Sequence, residues 1–214
     1  MSEKELSELR REYAAGGLEE RSLAVDPFTM FRTWMSDAQA ADLHEPNAMV
    51  LATVSVAGGA ASRTVLLKGH DERGFVFFTN YASRKGVELA ANPACSVLFP
   101  WHALERQVRV EGSAARLSDQ DNDAYFSTRP RDSQIGAWAS PQSEVVADRS
   151  DLDERYARMA ERFAAATIPR PGHWGGYRIE PDSVEFWQGR IGRMHDRLRY
   201  RRTTGGWAVE RLAP

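Results

Sequence analysis

The chain has 214 residues, of which 42% are hydrophobic and 27% are charged, values typical of a globular protein with a sizeable core. Its formal net charge of −2 gives no general attraction to nucleic acid or to anionic membranes. No apolar run is long enough to cross a bilayer, and the charged N-terminal segment MSEKELSELRREY lacks the apolar stretch of a secretory signal. The single cysteine, Cys95, excludes an internal disulfide and is expected to be a buried thiol. The sequence therefore predicts a cytoplasmic protein, with a flexible segment at residues 1–20 and a single domain from 21 to 214.

The N-terminal half of the chain predicts one long helix followed by short strands. Asp26 and Pro27 form a helix start, because Asp caps the first turn and Pro is tolerated there, and the apolar stripe that follows predicts a helix to about Leu43. Glycine pairs and an Asp–Gly turn separate β-forming segments, and a short helix is expected over 83–91. The predicted strands of this half are 49–56, 60–68, 75–79, 94–100 and 105–117.

The C-terminal half predicts further helices and then two pairs of strands. Ser118 caps a helix that leads to Phe126, Pro130 interrupts it, and a second short helix is expected over 133–139. Ser150 is predicted to cap a third helix. Strands are expected over 174–179, 183–188, 197–202 and 207–212. Many short strands at hairpin spacing, with helices between them, predict a mainly β, α+β fold in which an antiparallel barrel carries helical decoration.

Cations and hydroxyls recur in two segments that could bind a phosphate. No glycine-rich phosphate loop follows a strand, so side chains would have to bind the phosphate. Arg63 and Lys68 stand at the two ends of an apolar strand, and Ser83-Arg84-Lys85-Gly86 places cations at a helix N-terminus. Only three of the 28 basic residues are lysines, and two of them, Lys68 and Lys85, fall in these segments. A solvated helix start is the alternative for the second segment. Gln107, on a polar strand face, could bind a ring or face water.

Tyr125, Arg129 and Ser133 are spaced four residues apart, which would place them on one face of a continuous helix. Pro130 breaks that continuity, although a kinked turn could still bring the three side chains together. An aromatic ring, a guanidinium and a hydroxyl suit a second phosphate. A simple polar loop is the alternative.

The segment from Trp187 to Arg197 combines an indole, a histidine and several arginines. Arg193 and His195 are two residues apart, so a strand would place both on one face. Arg can bind a phosphate or stabilise an oxyanion, and His can exchange a proton near neutral pH. The alternative is an exposed, charged strand end.

Taken together, these segments resemble the pyridoxamine (pyridoxine) 5′-phosphate oxidases, the FMN enzymes of vitamin B6 metabolism. The resemblance covers the chain from Arg10 onward, in the order of the family. The matching segments are LRREY, DPF, RTVLLK, FFTN, SRKG, NP, LERQVRVEG, YFSTRPRDSQIGAWAS, QS, HWGGYRI, EFWQG, RMHDR and ERLAP. The departures are small: Met194 stands where Leu is common, and Phe78 where Tyr is common.

The resemblance implies an FMN-binding split β-barrel that forms a homodimer, with FMN at the subunit interface and no metal. The dispersion of Asp and Glu among the Arg residues argues against a nucleic-acid partner, and the net charge and the lack of a spanning run argue against a membrane partner. It implies FMN contacts from Arg63, Thr64, Val65, Leu66, Leu67, Lys68, Phe78, Thr79, Arg84, Lys85, Gln107, Gln142, Ser143, Trp187 and Arg197. It implies substrate contacts from Lys68, Tyr125, Arg129, Ser133, Arg193, Met194 and His195, and an N-terminal flap from Arg10, Arg11, Glu12 and Tyr13. Arg193 and His195 are implied as the catalytic pair.

The implied reaction oxidises pyridoxine 5′-phosphate or pyridoxamine 5′-phosphate to pyridoxal 5′-phosphate. FMN is the hydride acceptor and O2 the final oxidant, which gives H2O2, and the amine also releases NH3. Two alternatives stay open. One is a related split-barrel flavoprotein with another substrate, such as a deazaflavin-dependent reductase or a haem-degrading relative. The other is a non-catalytic carrier or sensor that binds FMN or pyridoxal phosphate.

Overall fold

A computed structural model of the chain describes Tyr13 and residues 16–214. The predicted flap residues Arg10, Arg11 and Glu12, and most of the segment predicted to be flexible, lie outside the described residues. The described helices are α1 (Pro27–Ala40), α2 (Arg84–Ala91), α3 (Asp119–Ser127), α4 (Arg131–Ala139) and α5 (Arg149–Arg162). The described strands are β1 (Ala48–Val54), β2 (Ala60–Leu66), β3 (Gly69–Asp71), β4 (Gly74–Asn80), β5 (Ala94–Trp101), β6 (Arg106–Arg116), β7 (Trp174–Gln188), β8 (Asp196–Thr203) and β9 (Gly206–Arg211).

The strands are hydrogen-bonded in the order β2-β1-β5-β6-β7-β4-β3, with β8 pairing with β7 and β9 pairing with β8. The pairs β3–β4, β4–β7, β7–β8 and β8–β9 are antiparallel. Phe77 lies opposite Tyr177 in the β4–β7 pair, and Phe186 opposite Leu198 in the β7–β8 pair. The predicted mainly β, α+β architecture is therefore confirmed. The strand β2, which carries Arg63, is at one end of this order.

The chain separates into two compact units of interleaved segments. The first consists of Met1–Val50, Val97–Glu111 and Pro181–Pro214. In its core, the ring of Phe31 on α1 lies 4.9 Å from that of Phe99, and the ring of Trp34 lies 5.1 Å from that of Phe186. These contacts bury the apolar stripe of α1 that the sequence predicts.

The second unit consists of Leu51–Ser96 and Gly112–Glu180. Two groups of apolar side chains form its core. Phe77 stacks on Tyr177 with ring centroids 5.7 Å apart. Phe126 and Ile135, from α3 and α4, pack in a second buried cluster with Trp174 at the start of β7. This second cluster matters for function, because it holds α3 and α4 in place beside β4 and β7.

Capping residues fix the helix starts, and one predicted cap is wrong. Asp26 Oδ1 accepts hydrogen bonds from the backbone N–H groups of Phe28 and Thr29, at 2.8 and 2.9 Å, as the sequence predicts. Ser150 does not cap α5. Instead Asp148 Oδ1 accepts from the N–H of Asp151 at 3.1 Å, and α5 begins at Arg149. A carboxylate two residues upstream of the predicted cap thus caps the helix.

The two strands predicted over 174–179 and 183–188 are one continuous strand, β7. Pro181 lies between the two predicted strands, and proline lacks the N–H that a sheet ladder needs. Pairing with β4 ends at Ile179, and pairing with β8 begins at Ser183. Pro181 falls between the two ladders, so its missing donor costs neither of them a hydrogen bond.

None of the helices in the described part of the chain combines the length and apolarity required to cross a membrane. Cys95, on β5, is half-buried, and burial raises the pKa of its thiol to about 12. The thiol is thus less buried than the sequence predicts, although its raised pKa agrees with a structural role.

Candidate active site

The second unit contains a cavity of about 820 Å³, within the range of about 300–1,000 Å³ usual for small-molecule sites. Strands β2 and β4 form one part of its wall, and α3, α4 and the turn between them form another. Its lining residues are Arg63, Thr64, Val65, Leu66, Lys68, Phe78, Thr79, Asn80, Lys85, Tyr125, Thr128, Arg129, Pro130, Ser133, Gly136, Ala137, Ser140, Gln142 and Trp174. Two sets of residues that the sequence assigns to different ligands thus share one cavity.

The predicted substrate residues Tyr125, Arg129 and Ser133 line this cavity although no single helix carries them. Helix α3 ends at Ser127, and α4 begins at Arg131 after Pro130. The kinked turn nevertheless brings the three side chains to the same cavity. The contribution of each to binding stays a prediction.

A stack of aromatic rings forms one wall of the cavity. Tyr125 lies on Phe78 with centroids 3.9 Å apart and ring planes 13° apart. Phe78 lies in turn on Trp174, at 5.3 Å and 10°. The guanidinium carbon of Arg129 is 4.5 Å from the centroid of Trp174, a cation–π contact. Trp174 therefore braces the side chain predicted to bind a phosphate.

Arg129 has an unsatisfied donor. Its Nη1 is buried and, among the described residues, has no hydrogen-bond acceptor. Burial lowers the pKa of Arg129 from its ordinary value, and the nearby Tyr125 opposes that effect. An arginine stays charged even so. A buried, charged donor of this kind is costly unless a ligand oxygen accepts its hydrogen bond, so the geometry favours an anion at this end of the cavity.

A second cavity of about 290 Å³ is lined by Ala60, Ala61, Ser62, Arg63, Arg84, Lys85 and Ser143. Arg63 and Lys85 line both cavities. Lys85 is 8% exposed, and its Nζ donates to Thr79 Oγ1 at 3.2 Å. Burial, followed by the positive charge of Arg63, lowers the pKa of Lys85. Three cations around a small cavity form a site suited to a phosphate.

Other predicted cofactor residues support or flank this site. Gln142 Oε1 accepts from Thr79 Oγ1 at 3.1 Å and from the backbone N–H of Asn80 at 3.3 Å, which ties the loop after α4 to the end of β4. Leu67 belongs to the buried core rather than to the cavity lining.

The remaining predicted residues belong to the first unit. His195 lies against two aromatic rings, that of Trp187 at 4.6 Å and that of Tyr13 at 5.4 Å. The backbone N–H of Arg190 donates to His195 Nδ1 at 3.1 Å. A neutral His195 therefore carries its proton on Nε2. Burial, followed by the charge of Arg193, lowers the pKa of His195, so that the ring is neutral at pH 7.

The prediction that Arg193 and His195 share one face of a strand is wrong. Residues Ile191–Arg193 form a 3-10 turn, in which Gly192 and Arg193 have positive φ angles of 68° and 63°, and β8 starts only at Asp196. At position 192 a glycine adopts the left-handed conformation without the steric strain that a Cβ would add. Arg193 and Met194 are exposed on this turn, and Arg193 is near enough to influence the titration of His195.

Two more predicted cofactor residues lie on strands of the first unit. Arg197 Nε and Nη2 donate to the two carboxylate oxygens of the buried Glu185 at 2.8 and 3.1 Å, a bidentate pair. This pairing raises the pKa of Arg197. Arg109 also donates to Glu185, at 2.8 Å. Gln107 is half-buried on β6.

Comparison with known proteins assigns the chain to a family. Residues 35–162 match the family model described as pyridoxamine 5′-phosphate oxidase. Residues 174–214 match the model described as the pyridoxine 5′-phosphate oxidase C-terminal dimerisation region. The chain belongs to the pyridoxamine 5′-phosphate oxidase family.

Relatives match this family member over nearly its whole length. A pyridoxine/pyridoxamine 5′-phosphate oxidase from Nocardioides sp. is 59% identical over 214 residues, which cover 100% of each chain. One from Rubrobacter xylanophilus is 54% identical and covers 99% of this chain and 97% of its own. Among solved structures, PhzG from Burkholderia lata, in complex with tetrahydrophenazine-1-carboxylic acid, superposes with a TM-score of 0.87 at 32% identity. The match covers 94% of this chain and 99% of PhzG.

Sequence reasoning missed two groups of residues at the site. The first is Trp174, which contacts the predicted residues Phe78 and Arg129. The segment HWGGY was part of the resemblance, and a tryptophan beside two glycines was a usable signal. The second is the pair of buried carboxylates, Glu88 and Glu185, that bind predicted cofactor arginines. An acidic side chain has the wrong sign of charge for direct contact with an anion, so its charge does not indicate an anion site.

Proposed function

We propose that the protein is an FMN-dependent oxidase that converts pyridoxine 5′-phosphate and pyridoxamine 5′-phosphate to pyridoxal 5′-phosphate. The observation that carries this proposal is the 59% identity, over the full length of both chains, to a protein named for this activity. The cavity of the second unit supports the proposal, because its lining combines groups suited to two phosphates.

The residues present fit FMN. Arg63, Arg84 and Lys85 would hold its phosphate in the smaller cavity that they line. Strand β2 ends the strand order, so the backbone of Thr64 to Leu66 can offer hydrogen bonds to the polar edge of a planar ring. Gln142, already fixed against β4, lies along the same cavity. These contacts to FMN are part of the proposal.

The substrate phosphate would bind at the other cationic group of the cavity. Lys68 and Arg129 would supply charge, and Tyr125 and Ser133 hydroxyl groups. The buried Nη1 of Arg129 supports this assignment, because a phosphate oxygen would give it the acceptor that it lacks among the described residues. A phosphate anchored there would fix one end of the substrate and so orient its reacting carbon.

Bound FMN would supply the redox chemistry, in which the carbon outside the pyridine ring loses a hydride, the attached hydroxyl or amine loses a proton, and O2 takes up both as H2O2. Pyridoxine phosphate then becomes the aldehyde directly. Pyridoxamine phosphate takes up water and releases NH3. Each turnover thus consumes one O2 and forms one H2O2.

Arg193 and His195 would orient the substrate and stabilise charge that develops on its oxygen or nitrogen. His195 is suited to donate from Nε2, because its Nδ1 accepts the N–H of Arg190. Arg193 would provide a permanent positive charge. Tyr13 and Trp187 pack against the imidazole and limit its rotation. The flap role of Tyr13 is also part of the proposal.

We further propose that the protein works as a cytoplasmic homodimer. The match of residues 174–214 to a dimerisation region supports the dimer, and the presence of a single cysteine suits a reducing compartment. Light scattering after size-exclusion chromatography should give twice the chain mass of 24.0 kDa, and a monomeric mass would contradict the dimer.

The activity is tested with FMN-loaded protein, each substrate in turn, and air as the source of oxygen. The expected result is pyridoxal phosphate with an equal amount of H2O2, and NH3 only from the amine. Bound FMN without product from either substrate would reject the oxidase, and would leave a flavoprotein with another substrate or a binding protein.

A further inference from the structure

Glu88 is a buried carboxylate behind the small cationic cavity. It lies on α2, is 3% exposed, and follows Arg84 by one helical turn. Its Oε1 accepts from Arg84 Nε at 2.8 Å, and its Oε2 accepts from Arg63 Nη2 at 2.9 Å. Oε2 also accepts from Thr53 Oγ1 at 2.5 Å. Donors from β1, β2 and α2 therefore converge on one side chain.

Thr53 closes this network. Arg63 Nη1 donates a hydrogen bond to Thr53 Oγ1, and the Thr53 hydroxyl donates in turn to Glu88 Oε2. The hydroxyl of Thr53, and then Arg84 and Arg63, lower the pKa of Glu88 against the opposing effect of burial. Glu88 is therefore ionised at neutral pH and binds both arginines as a carboxylate.

The charges around the small cavity suit a phosphate monoester. Arg63, Arg84 and Lys85 line it, whereas Glu88 is not one of its lining residues. Three positive charges less one leave a net charge of +2, which complements the charge of about −1.5 to −2 on a phosphate monoester at pH 7. Glu88 thus keeps three neighbouring cations together without itself facing the ligand.

We propose that Glu88 is a positioning residue that sets Arg63 and Arg84 for the phosphate of FMN, and so makes the site selective for phosphorylated over unphosphorylated flavin. This inference rests on the proposed function for the identity of the ligand. Nothing in it requires Glu88 to touch FMN, substrate or the reacting atoms.

Two physical effects connect Glu88 to phosphate affinity. Arginine side chains are long and flexible, and holding them in place before the ligand arrives reduces the entropy lost on binding. The negative charge of Glu88 also favours the charged form of Lys85, against the burial and the Arg63 charge that lower its pKa. Loss of the carboxylate would release the arginines and favour a neutral lysine, and both changes weaken a phosphate contact.

The test compares FMN with riboflavin, which lacks the phosphate, by quenching of flavin fluorescence on titration with the apoprotein. Glu88→Gln removes the charge and keeps the shape of the side chain. FMN should bind about tenfold more weakly or worse, as expected when one member of a buried charge network is lost. Riboflavin affinity should change by no more than about twofold, because no phosphate contact is involved.

Asp71→Asn is the matched control. Asp71 also bridges two arginines of the second unit, Arg73 and Arg178, each at 2.6 Å, but it lines neither cavity. This variant should leave both affinities unchanged. A fall in FMN and riboflavin affinity alike in Glu88→Gln would indicate a merely structural role and overturn the inference, as would unchanged FMN affinity.

Thr53→Val keeps the inference testable if Glu88→Gln does not fold. It removes one donor to the carboxylate and one acceptor of Arg63 while all charges remain. The same selective loss of FMN affinity is therefore expected on a smaller scale. An unchanged ratio of FMN affinity to riboflavin affinity overturns the inference. Wild-type protein that binds neither flavin would reject the proposed function itself. Wild-type preference for FMN that survives in the variants rejects only the role of Glu88.

Discussion

The guanidinium of Arg129 lies over the indole of Trp174, with 4.5 Å between the guanidinium carbon and the ring centroid. Trp174 is itself held by Phe78 and by the buried cluster beneath α3 and α4. The flat face of the guanidinium is thus occupied, and its Nη1 is left for a ligand. A lysine could reproduce the charge at this position but not the stacking or the forked donors.

Replacing Arg129 with Lys should therefore affect substrate binding more than turnover. We expect KM for pyridoxine 5′-phosphate to rise about tenfold or more and kcat to change much less, since mainly ground-state binding is lost. Steady-state kinetics under air provide the measurement. Arg116→Ala is the control, because Arg116 stacks on Tyr81 at 4.1 Å in the same unit but lines neither cavity. Unchanged KM in Arg129→Lys would remove Arg129 from the substrate site.

Arg193 can be tested without disturbing its turn. Its φ of 63° is in the left-handed region, which Asn tolerates better than most residues. Arg193→Asn should lower kcat about 100-fold, as expected when a group that stabilises developing charge is lost, while FMN content stays the same. Flavin absorbance per protein chain and kcat are measured on the same preparation. Full turnover in the variant would contradict the catalytic role.

The pH dependence of the reaction should reflect a neutral His195. Burial and the charge of Arg193 both lower the pKa of His195 below its ordinary value of 6.5. The form that donates from Nε2 is then present at neutral pH, and kcat/KM should fall only as the pH drops below 6.5. The substrate phosphate also titrates near pH 6. The pH profile of kcat/KM is therefore compared between the wild type and His195→Asn, since the variant keeps only the contribution of the phosphate. An acid limb centred above 6.5 that disappears in this variant would contradict the prediction.

Two helical glycines should respond in opposite ways to alanine. A Cβ at Gly86 would overlap the carbonyl group of Tyr81, whose carbon would be 2.6 Å away, whereas a Cβ at Gly136 would have nothing within 4 Å. Gly136→Ala should stabilise the apoprotein by about 0.5–1 kcal/mol through helix propensity. Gly86→Ala should destabilise it by about 1–3 kcal/mol through overpacking. Urea denaturation measures both, and equal effects would show that the contact at Gly86 is irrelevant.

Local signals in the sequence predict much of this fold. Asp26, Ser83 and Ser118 each precede a helix and each accept a backbone N–H in the first turn. Alternation and turn residues predict most strands to within a few residues. The missed strand β3, Gly69–Asp71, has three residues, too few for a periodic pattern to be visible. The sequence does not show that the predicted strands 174–179 and 183–188 are one strand, because the tolerance of Pro181 depends on where the partner strands end.

Site residues could be predicted where their neighbours in the sequence indicate their chemistry. They could not be predicted where their role depends on contacts between distant parts of the chain. Lys85 and Arg129 could be selected as anion-binding residues from their neighbours in the chain. The backbone conformation at Arg193 could not be predicted, because the two-residue spacing of Arg193 and His195 is typical of a strand. Only the glycine before Arg193 indicates a turn. Glu88 was missed for another reason: Arg84 is only one helical turn away, but its other partners, Thr53 and Arg63, are 35 and 25 residues away in the chain.

The scarcity of lysine has a practical consequence. The chain has three lysines, Lys4, Lys68 and Lys85, and the two in the described residues both line the large cavity. Lys68 is exposed there, and the lowered pKa of Lys85 leaves more of its amine unprotonated at a given pH. Apart from Lys4 and the α-amino group, amine-directed reagents can react here only inside the pocket. Modification of Lys68 or Lys85 should block ligand entry, whereas carboxyl-directed coupling can use the many exposed acidic side chains.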